Sequence, residues 1–118
     1  MIKSARFSLD GTKVVTASDD KSVRVWNSLT GKEELKLTDH SSNVLCAAFS
    51  PDGTKGASGG DSRTTLIHNI STKDIEKTIT ESEKIWGLDF SPDGKRLVVG
   101  IGDLFGNIGE AKIYQIEL

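Results

Sequence analysis

A five-residue stretch recurs three times along the chain, and no other feature limits the possible folds so strongly. Phe7-Ser8-Leu9-Asp10-Gly11, Phe49-Ser50-Pro51-Asp52-Gly53 and Phe90-Ser91-Pro92-Asp93-Gly94 lie 42 and 41 residues apart. A period of about 40 residues marks a repeat architecture, in which each unit covers its apolar face with a neighbour and roughly three units are needed for stability. Each copy also spells a turn. Pro presets φ at the second position, Asp bonds its own backbone, and Gly accepts φ > 0.

Placing the chain in register on this turn puts one strand before it and two or three after it. The strands before it, Ile2-Lys3-Ser4-Ala5-Arg6-Phe7, Val44-Leu45-Cys46-Ala47-Ala48-Phe49 and Ile85-Trp86-Gly87-Leu88-Asp89-Phe90, are short and use small residues, which suits a crowded inner strand. Residues 13–18, 55–59 and 96–100 read as buried second strands, with a charge at the turn edge and small or β-branched residues beyond. Third strands follow a polar corner at 22–26, 64–68 and 111–116, where apolar and polar residues alternate. Residues 34–37 and 75–79 are expected to be fourth, outer strands. Both also have helical features, since Ser71 with Asp74 resembles a capping box and Ile75 with Ile79 has i, i+4 spacing; the repeat register favours strand. The third unit has a corner about five residues longer, at 102–109, and no fourth strand after its third.

A net charge of −2 and no basic run longer than two residues give no electrostatic footprint for nucleic acid or an anionic membrane, so neither is an expected partner. The lone Cys46 has no intrachain disulfide partner, and no apolar run approaches a signal-peptide core or a membrane span. The expected setting is cytoplasmic, with the nucleus also open.

The period, the Phe-Ser-Pro-Asp-Gly turn and Asp20-Lys21-Ser22-Val23-Arg24-Val25-Trp26-Asn27 together resemble the WD-repeat β-propeller family, across essentially the whole chain. The resemblance implies an all-β fold of four-stranded antiparallel blades, here three, with the last lacking its outer strand: blade one at 1–38, blade two at 39–80, blade three at 81–118. It implies an incomplete propeller, expected to be the C-terminal part of a larger one or to self-associate. A parent's N-terminal strand would then pair along the open edge at 111–117. In that family a tetrad of His, Ser or Thr, Asp and Trp ties each blade. Thr16, Asp20 and Trp26 match it in blade one, and His40 and Ser58 in blade two, where Ser62 stands at the Asp position and His68 at the Trp position. Blade three has Glu81, Val99 and Tyr114 instead and is expected to survive on packing.

Reactive chemistry finds little support in the residues. Neither His40 nor His68 has Cys or carboxylate neighbours at ligand spacing, Asp19-Asp20 and Asp61 lack the alternating oxygen ligands of a Ca²⁺ loop, and the glycine-rich 102–109 corner has no phosphate-loop pattern. Cys46 reads as an inert buried thiol, and no cofactor or metal is expected. The resemblance instead implies binding of other proteins through one face, at positions six and four before the turn aromatic and at the residue before the corner Asp. These are Lys3, Asn43, Leu45, Lys84 and Trp86, with Asp19 and Asp61, joined by Leu104 and Phe105 of the long corner. Trp86 is either an aromatic hot spot or a plug packed into the channel, and Phe105 either a binding residue or one folded back on the blade. The expected function is a non-catalytic protein-interaction scaffold. A reader of modified peptide tails or nucleic acid is the alternative, and a propeller enzyme the more distant one.

Overall fold

The computed structural model describes residues 1–103 and 109–116. Among them there is no helix, and the strands form three antiparallel sheets. The first holds β1 (Ile2–Phe7), β2 (Lys13–Ser18), β3 (Val23–Asn27) and β4 (Glu33–Leu37) in chain order. The second repeats this order with β5 (Val44–Phe49), β6 (Lys55–Gly60), β7 (Thr64–Asn69) and β8 (Ile75–Thr80). The third has β9 (Lys84–Phe90), β10 (Arg96–Gly102) and β11 (Gly109–Gln115). No described strand pairs with the outer edge of β11.

The repeated turn is the same device three times. Gly11 N–H donates to Ser8 O at 3.0 Å with φ at +75°, and Gly53 and Gly94 do the same to Ser50 and Ser91 at 2.9 and 2.8 Å. The serine works harder than the sequence suggests. Its hydroxyl donates to the turn Asp (2.8, 2.8 and 2.6 Å in order) and accepts from the first residue of the next strand: Lys13, Lys55 or Arg96. Proline is dispensable, since Leu9 holds the geometry of Pro51 and Pro92. The carboxyls of Asp10 and Asp52 are held below the usual range chiefly by the backbone N–H of Thr12 and Thr54, and that of Asp93 chiefly by the Ser91 hydroxyl.

The segments with helical features are strands. Ser71 does not cap a helix; Asn69 Oδ1 instead accepts from the N–H of Ser71 (2.9 Å) and Thr72 (3.1 Å), closing a turn that sends the chain back as β8. Asn27 does the same for Leu29 and Thr30 ahead of β4. The corner of the third unit is shorter than the sequence suggests, because Gly102 and Gly109 pair as the last rung between β10 and β11. Leu104, Phe105 and residues 106–108 lie outside the described residues.

Two cores lie between the sheets. Val15, Ala17, Val23, Val25, Leu35 and Leu37 of the first sheet pack on Val44, Ala47 and Phe49 of the second. Cys46, Ala48, Ala57, Ile67 and Ile79 of the second pack on Ile85, Leu88, Phe90, Leu97, Val99 and Ile101 of the third. Each large side chain so buried contributes about 1.5–3 kcal/mol. The inner strands β1, β5 and β9 stand side by side, as their small residues foretell. Arg6 reaches from the first sheet to the third, donating from Nη1 to Leu88 O at 3.0 Å and from Nη2 to Asp89 at 3.2 Å.

Candidate interaction face

The end of the sheets opposite the repeated turns carries the first residues of the inner strands and the corners that join second to third strands. The pairing of each inner strand breaks there. Ile2 pairs with Ser18 and Ser4 with Ala17, which leaves Lys3 unmatched. Leu45 is unmatched between Val44 and Cys46, and Trp86 between Ile85 and Gly87. Lys3, Leu45 and Trp86 are therefore the extra residues of three equivalent β-bulges, a device that re-aims one side chain without disturbing the rest of the strand. Gly60 permits the second bulge: a Cβ there would sit 2.2 Å from Asn43 O and 2.8 Å from Leu45 N.

Two ion pairs lie at this end of the sheets. Lys3 Nζ lies 3.6 Å from Asp19, within the first sheet, and Lys84 Nζ lies 3.3 Å from Asp61, joining the third sheet to the second. The corners are fixed by the backbone, with Asp19 N–H donating to Met1 O at 2.9 Å and Asp61 N–H to Asn43 O at 3.0 Å. The second oxygen of Asp19 is buried with no partner among the described residues. Trp86 is 48% exposed, and its indole N–H donates to Gly102 O at 3.1 Å, which ties it to the start of the long corner. The structure pairs Lys3 with Asp19, sets both Lys84 and the backbone of Asn43 against Asp61, and leaves Leu45 partly buried.

The tetrad residues are placed differently in each sheet. In the first, Trp26 Nε1–H donates to Thr16 Oγ1 at 3.0 Å. Asp20 is turned toward its own corner, accepting from Ser22 and pairing with Arg24 at 2.7 Å. In the second, His40 Nε2 and Ser58 Oγ are 2.8 Å apart and buried, while His68 pairs at 2.9 Å with Asp39, a partner that the sequence reading did not single out. Ser62 Oγ and His68 Nδ1 are buried with no partner among the described residues. The third sheet keeps a tie that sequence reasoning missed. Glu81, at the His position with its side chain 1% exposed, accepts a hydrogen bond from the Tyr114 hydroxyl, and Lys112 Nζ lies 3.2 Å from its other oxygen. The signal lay in the pair of replacements: an acceptor where the family has His, and a hydroxyl donor where it has Trp.

Burial, with His68 nearby, pulls His40 down to about 4, so the ring is neutral near pH 7. Burial pushes the Cys46 thiol up to about 12. Ser58 and His40 have the spacing of a nucleophile and base, but Ser58 is buried and the carboxylate of Asp39 serves the other histidine. Among the described residues no cluster of three or more His, Cys, Asp or Glu is set to hold a metal, and no helix is long and apolar enough to cross a membrane.

A family model described as "WD domain, G-beta repeat" matches residues 2–27, 31–69 and 74–103. The chain is similar to "Eukaryotic translation initiation factor 3 subunit I" of Kluyveromyces lactis, with 24% identity over 115 residues, covering 98% of this chain and 33% of that protein. It is also similar to "Non-functional target of rapamycin complex subunit LST8-2" of Arabidopsis thaliana, with 33% identity over 103 residues, covering 80% of this chain and 33% of that protein. The chain thus spans about a third of the length of these relatives.

Proposed function

Because the chain belongs to the WD-repeat family, we propose that it acts as a non-catalytic scaffold that binds another protein through the bulged end of its sheets, with Trp86 as the anchor. The observation that carries this reading is the recurrence of one bulge in three inner strands. Each presents a side chain at the same end, and the third presents a half-exposed tryptophan. A half-exposed aromatic on a face that also carries ion pairs suits a binding hot spot, where a polar rim excludes water and the aromatic contributes most of the affinity. The hydrogen bond to Gly102 O favours the hot spot over the plug, since it holds the ring at the strand end and leaves about half of it in solvent.

Lys3, Asp19, Asn43, Leu45, Lys84 and Asp61 form the surround, with the charges balanced in pairs. A balanced rim selects a partner by complementarity of shape and local charge, and gives no broad attraction for polyanions. The relatives' names support protein partners, since both describe a subunit of a larger assembly. A cytoplasmic setting belongs to the same proposal. The test uses the chain, its Trp86→Ala variant and a Leu29→Ser control as baits at equal concentration, with circular dichroism to confirm folding. Trp86→Ala is expected to lower partner recovery at least about tenfold, the loss of a typical hot spot, with no change for Leu29→Ser. Equal recovery by all three baits would overturn the proposal.

A further inference from the structure

Each copy of the repeated turn contains an Asp-Gly step: Asp10-Gly11, Asp52-Gly53 and Asp93-Gly94. The three differ in how firmly the carboxylate is held. Asp10 Oδ1 accepts from Ser8 Oγ at 2.8 Å, Thr12 N at 3.0 Å and Thr12 Oγ1 at 2.8 Å. Asp52 Oδ1 accepts from Ser50 Oγ at 2.8 Å, Thr54 N at 3.0 Å and Thr54 Oγ1 at 2.8 Å. Asp93 Oδ1 accepts from Ser91 Oγ at 2.6 Å and Lys95 N at 3.0 Å, with no third donor among the described residues. Lys95 stands where the other two turns have threonine, and a lysine has no hydroxyl beside its own backbone to make that bond. The glycines are alike in all three turns, each with positive φ and its N–H on the serine carbonyl.

An Asp-Gly step carries its own electrophile and nucleophile. The glycine nitrogen attacks Cγ of the aspartate to form a C–N bond in a cyclic succinimide. The carboxyl, protonated from solvent, loses its hydroxyl, which leaves as water with the amide proton. Water then opens the ring. Breaking the Cγ–N bond restores aspartate, whereas breaking the bond from the α-carbonyl carbon to nitrogen leaves the chain running through Cβ and Cγ as isoaspartate. Nothing is oxidised or reduced, and water is the sole co-reactant. Glycine presents no Cβ to crowd the attack. In a folded turn Cγ must first rotate toward the glycine nitrogen, so every hydrogen bond that fixes Oδ1 raises the barrier.

We propose that Asp93 is a site of spontaneous covalent modification, converting to isoaspartate ahead of Asp10 and Asp52 because its turn lacks the threonine hydroxyl. One hydrogen bond to a carboxylate corresponds to about a tenfold difference in rate. The product places an extra backbone carbon in the turn between β9 and β10 and removes the side-chain carboxylate that Ser91 and Lys95 hold. The turn lies at the end of the sheets opposite Trp86, so this inference and the binding proposal stand or fall separately.

Incubation of the full chain in heavy-oxygen water, at physiological temperature and near neutral pH, tests it. Each ring opening adds one labelled oxygen, and tryptic peptides 7–13, 37–55 and 85–95, prepared in ordinary water, separate the three turns for mass spectrometry. Fragmentation that distinguishes the two linkages then reads isoaspartate. Label and isoaspartate at Asp93 are expected to exceed those at Asp10 and Asp52 by about tenfold. Lys95→Thr should bring Asp93 down to the level of the other turns, and Thr54→Lys should raise Asp52 to that of Asp93, with circular dichroism confirming that both variants fold. In concentrated urea the three steps should label faster and at similar rates. Equal uptake in the three folded turns, no label at Asp93, an Asp93 excess that persists in urea, or an excess that Lys95→Thr leaves unchanged would overturn the proposal.

Discussion

Replacing Glu81 by Gln is expected to weaken the third sheet and to leave an optical trace. Its carboxylate is almost fully buried, accepts from Tyr114 and faces Lys112. Removing one partner of a fully buried ion pair costs about 3–5 kcal/mol. Lys112 is about a third exposed and can turn to water, and Gln still offers Tyr114 an acceptor, so the cost falls to about 1–2 kcal/mol. Tyr114→Phe, which leaves one acceptor of Glu81 unused, should cost about 1 kcal/mol. In urea melts followed by tryptophan fluorescence, the double variant should cost less than the sum of the two. Tyr114 is the chain's single tyrosine, so absorbance at the phenolate band reads it alone. Burial first, and then the hydrogen bond to Glu81, push its phenol up to about 12. Glu81→Gln should lower that midpoint without bringing it to 10, because burial remains. Strict additivity of the two substitutions, or an unchanged phenol midpoint, would refute the tie.

Three further outcomes follow from the same geometry. His40 binds its proton less readily folded than unfolded, so its contribution is complete above about pH 6.5 and is lost as pH falls toward about 4; urea midpoints should show a drop of about 2 kcal/mol between pH 7 and 5 that His40→Gln lacks. Lys73 sits at φ 68° where the equivalent turn has Gly31 at 73°, and Lys73→Gly should stabilise by about 0.5–1 kcal/mol in thermal or urea melts. Trp26→Ala removes a partly buried ring and its bond to Thr16, and should cost about 1–3 kcal/mol, less than a fully buried tryptophan; an unshifted melting midpoint would show that the Thr16 bond does not hold the first sheet.

The fold was legible because its information is local and repeated. Three copies of one turn, each followed by alternating strands, fix register, order and the inner position of the alanine-rich strand. The strand nature of β4 and β8 also followed, although Ile75 and Ile79 carry helical spacing, because register outweighs a weak local preference. Contacts that depend on side-chain direction were less readable. The bulges at Lys3, Leu45 and Trp86 have no sequence signature of their own beyond Gly60, where two backbones meet. Asp39 and Glu81 were hidden because each acts on a residue 29 or 33 positions away, with identities that depart from the family pattern. Phe7 and Ile113 look like ordinary core residues in the repeat, and only the folded structure shows that they are exposed among the described residues.

The central claim is that the bulged end is where a protein partner sits, and site-specific photo-crosslinking addresses it with the least intervening inference. A photoreactive phenylalanine analogue replaces Trp86 in one sample and the fully solvent-facing Leu29, at the opposite end, in another. After illumination in cell extract, adducts are identified by mass. A discrete protein adduct at position 86, absent at position 29 and suppressed by excess unlabelled wild-type chain but not by Trp86→Ala, is the predicted result. Equal adduct patterns at the two positions, or adducts that Trp86→Ala suppresses as well as the wild type, would contradict the account.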